Sequence, residues 1–450
     1  MIPDYIKMYH DLLTDDVAIN SQIRLDEQQH RRGLFFGDRA LCTVLRPRFL
    51  TTSQYEFIQY STRMLLKAFH KIHHVAMQNA EFRKQFKLLD WEERLMHYHP
   101  GYTPPAPISR LDTFYIPERN SMKITEYNAE TPAAPAYNDV ISDVFFSMPI
   151  MRRFMRYYNV YALPARHGVL QVLLDCYQEW DGGNFRKPRI AILDWENVPT
   201  YSEFVLFERY FHEQGLECVI ADPNKVDYHR GKLYYGKFKI DLIFKRVLIS
   251  ELIERQGWQS PVVQAVLDNA VCMVNHFVCK LMYKKCSLAV LSDERNAYLF
   301  NHYEHQVIDA HVPWTRTVEE RKTTYHNLPV DLIPFIAANR DKLVLKPNDD
   351  YGGRGIVLGW TVDITEWERS IRHALVNPYI VQERIPIPQE PYPSLIDGKL
   401  EIFDRWVDTN PFIFYGDTVY GCLTRLATTE LLNVTAGGGS TASTFLVERR

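Results

Sequence analysis

Apolar residues recur at helical spacing through much of the first hundred positions. Phe57, Tyr60, Met64, Leu65, Ala68 and Ile72 follow a Ser53/Glu56 pair with capping-box spacing, which predicts a long amphipathic helix. The proline-rich stretch HPGYTPPAPIS, at 99–109, ends this region. The period then shortens: RLDTFYI and MKITEYN, separated by PERNS, read as a hairpin that runs into ETPAAPAYND. Residues 188–247 change character again. RIAILDW is a buried-type strand, YSEFVLFERYFHEQG a helix closed by Gly215, and LECVIAD a second strand. KLYYGKFKI reads as a hairpin and DLIFKRV as a further strand. That βαβ order predicts a parallel sheet covered by helices. Helices dominate 262–310, and from 342 short strands alternate with one helix at 364–375.

Composition narrows the class. With 450 residues, 46% of them hydrophobic and 24% charged, the chain reads as a soluble globular protein with more than one core. The 52 Lys and Arg against 55 Asp and Glu give no electrostatic reason to expect nucleic acid or an anionic membrane as partner. The opening MIPDYIKMYHDLL lacks the pattern of a secretory signal, and no apolar run approaches a membrane span, so a cytoplasmic protein is expected. None of the seven cysteines has metal-site spacing. Cys272, Cys279 and Cys286, seven residues apart, predict the buried face of one helix. HKIHH and HYHP have no zinc spacing either. Oligomeric state stays open, a homodimer being one option.

Two short stretches carry candidate chemistry. In LVLKPNDDYGGRGIVLG (343–359), a lysine, two acids and three glycines separate two apolar runs. Either this is an ordinary hairpin turn, or a nest of backbone amides cradles phosphate beside Lys346 while Asp349 or Asp350 holds Mg²⁺. It lacks the Gly-Lys-Ser/Thr of a P-loop. In ITEYNAETPAA (124–134), Glu126 and Asn128 lie two apart at a strand end, so their oxygens face one side, as Mg²⁺ ligation requires. Taken alone, two polar residues at a strand end are unremarked features of many sheets.

Together with YIVQERI and GCLTRLATTELLNVTAGGGS, these stretches resemble the ATP-grasp superfamily over about residues 105–445. More narrowly, they resemble its circularly permuted branch, which includes eukaryotic glutathione synthetase and glutathionylspermidine synthetase. Here Glu-x-Asn precedes the lysine and glycine loop, which is the permuted order. The resemblance implies an α/β (α+β) ATP-grasp fold. A helical N-terminal region would occupy 1–104, a segment carrying Glu-x-Asn 105–165, a βαβ substrate domain 166–260, and the ATP-grasp lobes 261–450.

It also implies ATP and Mg²⁺. Lys346, Gly352, Gly353, Arg354 and Gly355 match the phosphate-contacting positions, and Lys285, or Lys284 by a one-residue shift, matches a second ATP lysine. Gln382, Glu383, Arg384 and Ile385 match the adenine hinge and Asp408 a ribose-binding acid. Glu126, Asn128 and Asp350 match the metal ligands, with Asp349 the rival of Asp350. Arg110 would hold the substrate carboxylate, and Arg425 would face an acyl phosphate. Ala427 stands where glutathione synthetase carries a lysine, which leaves the substrate open. Lys245 and Arg246, ending DLIFKR, are candidates for an anionic group, or else a solvated pair. TAGGGSTAS (435–443), with Gly437, Gly438 and Gly439, would be a lid over the substrate. The activity expected is an ADP-forming carboxylate–amine ligase acting on small molecules or short peptides. A phosphotransferase and a non-catalytic nucleotide-binding regulator are the alternatives.

Overall fold

A computed structural model describes residues 2–184, 186–350, 352–429 and 439–450. Its largest sheet has nine strands and is assembled from distant parts of the chain. Gln389–Ile396, Lys399–Val407, Thr418–Ala427 and Asn410–Phe414 follow one another across it. The predicted hairpin, Ile108–Ile116 with Ser121–Asn128, completes that run by pairing Arg110 with Phe412. Ser440–Arg449 pairs with Thr418–Ala427, and beyond it with Tyr158–Ala162 and Arg48–Leu50. The first six residues of Ile108–Ile116 are buried in succession, so neither face of this strand is solvated.

The predicted βαβ region forms a parallel sheet in the order Cys272–Val274, Leu242–Lys245, Ile190–Leu193, Cys218–Ala221. Every residue of Ile190–Leu193 and Leu242–Lys245 is buried, as strands covered on both faces must be. A third, antiparallel sheet runs Thr315–Thr317, Tyr379–Glu383, Leu343–Pro347, Val357–Leu358. Helix Ile364–Val376 covers it with Trp367, Ile371 and Ala374, and Asp363 caps the helix through the Glu366 amide. Gly359 lies just beyond Val357–Leu358, where a Cβ would collide with the Arg340 carbonyl and stand 2.8 Å from that of Leu343. Gly359→Ala should therefore cost about 1–3 kcal/mol, read as a lower urea midpoint; an unchanged midpoint would show that this turn yields freely.

Three expectations change. The long helix is Thr52–Gln78, and its capping box is Thr51 with Gln54, not Ser53 with Glu56. Its buried stripe runs through Ile58, Leu65, Phe69, Ile72 and Ala76, leaving Tyr60 59% exposed. The seven-residue cysteine spacing does not mark one helix. Cys272 is in a strand, Cys279 ends a short turn and Cys286 opens helix Cys286–Ser292. All seven thiols are nevertheless buried. Among the described residues, no helix is long and apolar enough to cross a membrane.

Candidate active site

The glycine-bearing segment is a hairpin with a long loop: Leu345 pairs with Val357 and Val344 with Leu358. Gly352, Gly353 and Gly355 take φ of +67°, +76° and +66°, a region side chains disfavour. Lys346 leaves the hairpin's first strand to donate to Gln382 Oε1 at 2.7 Å and the Thr125 carbonyl at 3.2 Å. Burial pulls its pKa down to about 8, and the nearby Lys285 charge adds to the fall.

Lys346, Gly352 and Gly353 line a slot of about 150 Å³. Val344, Ile356, Leu358, Trp360, Ile385 and Ile387 supply its apolar walls, and Gln382 to Ile385 lie along one edge. Arg384 stacks on Trp360, 4.0 Å from the ring centre. The amides of Glu383 and Arg384 already donate to the carbonyls of Trp314 and Lys342. A ligand edge would therefore find its hinge donor at Ile385.

Next to the slot lies a cleft of about 390 Å³, and Glu126, Gly352 and Arg425 line both. The hairpin explains why. Arg110 pairs with Asn128, and Asp112 with Glu126, so four functional side chains project from one face of two strands. Lys285 Nζ lies 3.3 Å from Glu126 Oε2 and donates to the Asp350 carbonyl at 2.8 Å, which brings both candidate metal-binding segments to one lysine.

Of the two sequence alternatives, Lys285 and Asp350 line the cleft, whereas Lys284 and Asp349 do not. Lys284 instead contacts Glu92 at 2.7 Å and Asp349 at 2.6 Å, inside a buried network that also holds Lys280 and Glu130. Burial opposes charge on Asp349, yet Lys280 and Lys284 hold its pKa well below the carboxylate range. Lys245 joins the same network, 3.5 Å from Glu130, and does not line the cleft. Arg246 does line it, although its two terminal nitrogens donate to the carbonyls of Pro132 and Thr131.

Asp408, matched to a ribose-binding acid, lines the slot. Its carboxylate accepts from the Arg425 amide at 2.6 Å and from Arg425 Nε at 2.5 Å. Asp112, which the sequence reading passed over, accepts from both Arg110 and Arg425. Its place two residues after Arg110 on one strand was the available signal. Also missed were Asp194 and Glu251, which line the cleft. Asp194 directly follows Ile190–Leu193, at the carboxyl end of a parallel strand where ligands of such sheets bind. Burial, with Glu251 nearby, raises its pKa to about 6.

Arg354 lines the cleft beside Gly352. Gly437 and Gly438 of the expected lid lie outside the described residues. Gly439 is described, and Ser440 to Ser443 belong to strand Ser440–Arg449, paired to Leu423–Leu426, so that these four residues of the segment are sheet rather than loop. Thr441 faces the cleft. Among the described residues no group of three His, Cys, Asp or Glu side chains is arranged around a metal position. Glu126, Asn128 and Asp350 all line the cleft, and a nucleotide-bound Mg²⁺ would take its remaining ligands from phosphates and water.

No family model and no curated protein sequence matches the chain. Among solved structures, a glutathione synthetase-like effector from Globodera pallida, in apo form, matches with a TM-score of 0.62 at 13% identity, over 97% of this chain and 99% of that one. A RimK-domain ATP-grasp protein from Sphaerobacter thermophilus gives a TM-score of 0.28 at 17% identity, over 57% of this chain and 89% of that one. D-alanyl-alanine synthetase A from Vibrio cholerae gives 0.27 at 9% identity, over 58% and 88%. The first match shows that the chain shares the fold of that glutathione synthetase-like effector; the other two are too distant in overall geometry to add to it.

Proposed function

We propose that this protein is an ATP- and Mg²⁺-dependent ligase that joins a carboxylate to an amine through an acyl phosphate. One observation carries the reading: the apolar slot and the polar cleft meet at Glu126, Gly352 and Arg425. A nucleotide with its base between Val344, Leu358 and Trp360 would place its terminal phosphate at that junction.

The chemistry balances as follows. A carboxylate oxygen of the acid attacks the γ-phosphorus of ATP and ADP leaves; a neutral amine then attacks the acyl carbon, gives up one proton to solvent, and phosphate leaves with the carbonyl restored. Negative charge grows at the transferring group, so cations fixed there lower the barrier. Lys346 and Lys285 meet the phosphates, Arg425 faces the transferred group, and Arg110 orients the acid. Bound Mg²⁺ supplies further neutralisation of phosphate charge, and Glu126, Asn128 and Asp350 would hold it. The order of segments reads as a circular permutation, because the hairpin of Ile108–Ile116 and Ser121–Asn128 completes a run of strands that otherwise comes from residues 389–427.

The cleft's charge also describes its substrate. Arg110, Arg425 and Lys285 line the cleft, and Asp194 and Glu251 line it from the parallel-sheet region, beside Arg246. The acid is therefore one that carries a protonated amine away from its reacting carboxylate, as amino acids and peptides do. Because the Asp194 pKa is raised to about 6, its charge is present above that pH. KM for such an acid should rise as pH falls through 6, and Asp194→Asn should flatten that limb. A KM profile identical in both proteins would detach Asp194 from recognition.

Screening amino acids, short peptides and polyamines for ADP release, with mass spectrometry of the products, tests the whole reading. An amide with ADP and phosphate supports it. A stable phosphorylated product would make the protein a phosphotransferase, and nucleotide binding without any turnover would make it a binding module.

A further inference from the structure

Between slot and cleft lies a chain of alternating charges. Asp112, 1% exposed, accepts from Arg110 Nε at 2.6 Å through one oxygen. Its other oxygen accepts from Arg110 Nη2 at 3.1 Å and from Arg425 Nη2 at 2.8 Å. Asp408, also 1% exposed, takes the backbone amide and Nε of Arg425. Two arginines and two aspartates thus alternate, with no net charge. The members come from strand Ile108–Ile116, strand Thr418–Ala427 and the turn after Lys399–Val407. That turn is fastened to the first strand, since the Thr409 amide donates to the Thr113 carbonyl and Asn410 Oδ1 accepts from the Thr113 amide.

The chain spans the two cavities. Arg110 lines the cleft, Asp112 and Asp408 line the slot, and Arg425 lines both. An arginine side chain loses much rotamer freedom when it is fixed, and here that loss is met before any ligand arrives. The sharing of one carboxylate matters more. Any shift of the Arg110 guanidinium changes the acceptor that Arg425 sees, and the reverse.

We propose that Asp112 is a positioning residue that couples the carboxylate-binding arginine, Arg110, to the phosphoryl-facing arginine, Arg425. Burial opposes charge on Asp112, yet the two guanidiniums keep its pKa far below the carboxylate range, so it stays an acceptor for both at any working pH. Asparagine in its place offers one acceptor oxygen and an NH₂ that faces a donor, which releases Arg425 with little change of volume. The inference rests on the ligase reading, since Arg425 has this task only if a phosphoryl group passes it.

The test measures Mg·ADP binding by calorimetry, alone and with aluminium fluoride, which mimics the phosphoryl group in transfer. In the wild type, fluoride should tighten ADP binding. Asp112→Asn should keep ADP affinity within about threefold while losing on the order of tenfold in the fluoride complex. Should that variant fold poorly, Arg110→Gln provides the second arm. Because Arg110 lines the cleft beside the junction, transmission is read from the pair: Arg110→Gln should add no loss of its own to Asp112→Asn in the fluoride complex. An unchanged fluoride complex in both variants overturns the proposal while leaving the nucleotide site standing. Equal losses of ADP and of the fluoride complex reduce Asp112 to a structural role, which also overturns it. A wild type that binds no Mg·ADP removes the ligase reading and this inference together.

Discussion

Replacing Lys346 by methionine should lower the affinity for Mg·ATP at least tenfold in calorimetric titration, while the melting temperature should stay within a few degrees of the wild type. The expected size follows from what the ammonium does. A hydrogen bond to a charged group contributes about 1.5–3 kcal/mol, which is roughly ten- to a hundredfold in affinity. Methionine preserves the length of the side chain and removes a charge that burial disfavours. Against that, the Gln382 side-chain oxygen and the Thr125 carbonyl lose a donor. The two effects on folding oppose each other, so the loss should appear in binding. A pH signature accompanies it. The pKa of Lys346 is lowered to about 8 in the unliganded protein, whereas phosphate favours the ammonium. Wild-type binding should therefore take up a proton near pH 8 and weaken as pH rises beyond it, and Lys346→Met should show neither trend. Equal affinities in the two proteins would remove Lys346 from the nucleotide site.

Glu126→Gln should reduce ADP formation on the order of a hundredfold or more, the scale of a lost metal-held charge contact, and should separate metal from nucleotide. Glu126 and Lys285 form an ion pair at 3.3 Å. With the carboxylate gone, Lys285 is released to meet phosphate directly. ATP binding in the presence of EDTA should then hold or tighten, while the enhancement by Mg²⁺ seen in the wild type should shrink. Titrations with and without Mg²⁺ decide this. A variant that keeps the full Mg²⁺ enhancement would place the ion away from Glu126, and the proposed metal site would fall with it.

The sequence was most legible where one short segment carries its own constraint. Positive-φ glycines beside Lys346 announce a loop that only glycine fills easily, and the loop is there. The hairpin of Arg110 and Glu126 follows from two alternating runs joined by a turn, and its pairing puts Arg110, Asp112, Glu126 and Asn128 on one face. Legibility ended where neighbours compete. Lys284 and Lys285 are equivalent as text, as are Asp349 and Asp350. Glu92, nearly two hundred residues away, draws Lys284 inward, and Lys280 and Lys284 together draw Asp349. The cysteine spacing misled for a related reason: a period of seven says nothing about whether the chain turns between repeats, and here it passes from strand to turn to helix.

By itself the sequence determined the elements whose signals are local: the βαβ region, the hairpin, the capped helix beginning at Ile364 and the glycine loop. Each depends on periodicity, turn residues or backbone freedom, which act within a few residues. Only the tertiary structure decided which charges line the two cavities. Lys245 pairs with Glu130 and Lys284 with Glu92, away from the cleft, while Asp112 and Asp408 take places beside Arg425 on the slot. A buried charge must find a partner wherever the fold supplies one, because leaving it unpaired costs several kcal/mol. Those partners lie tens to hundreds of residues apart along the chain, and the assignment of roles within the site belongs to the fold.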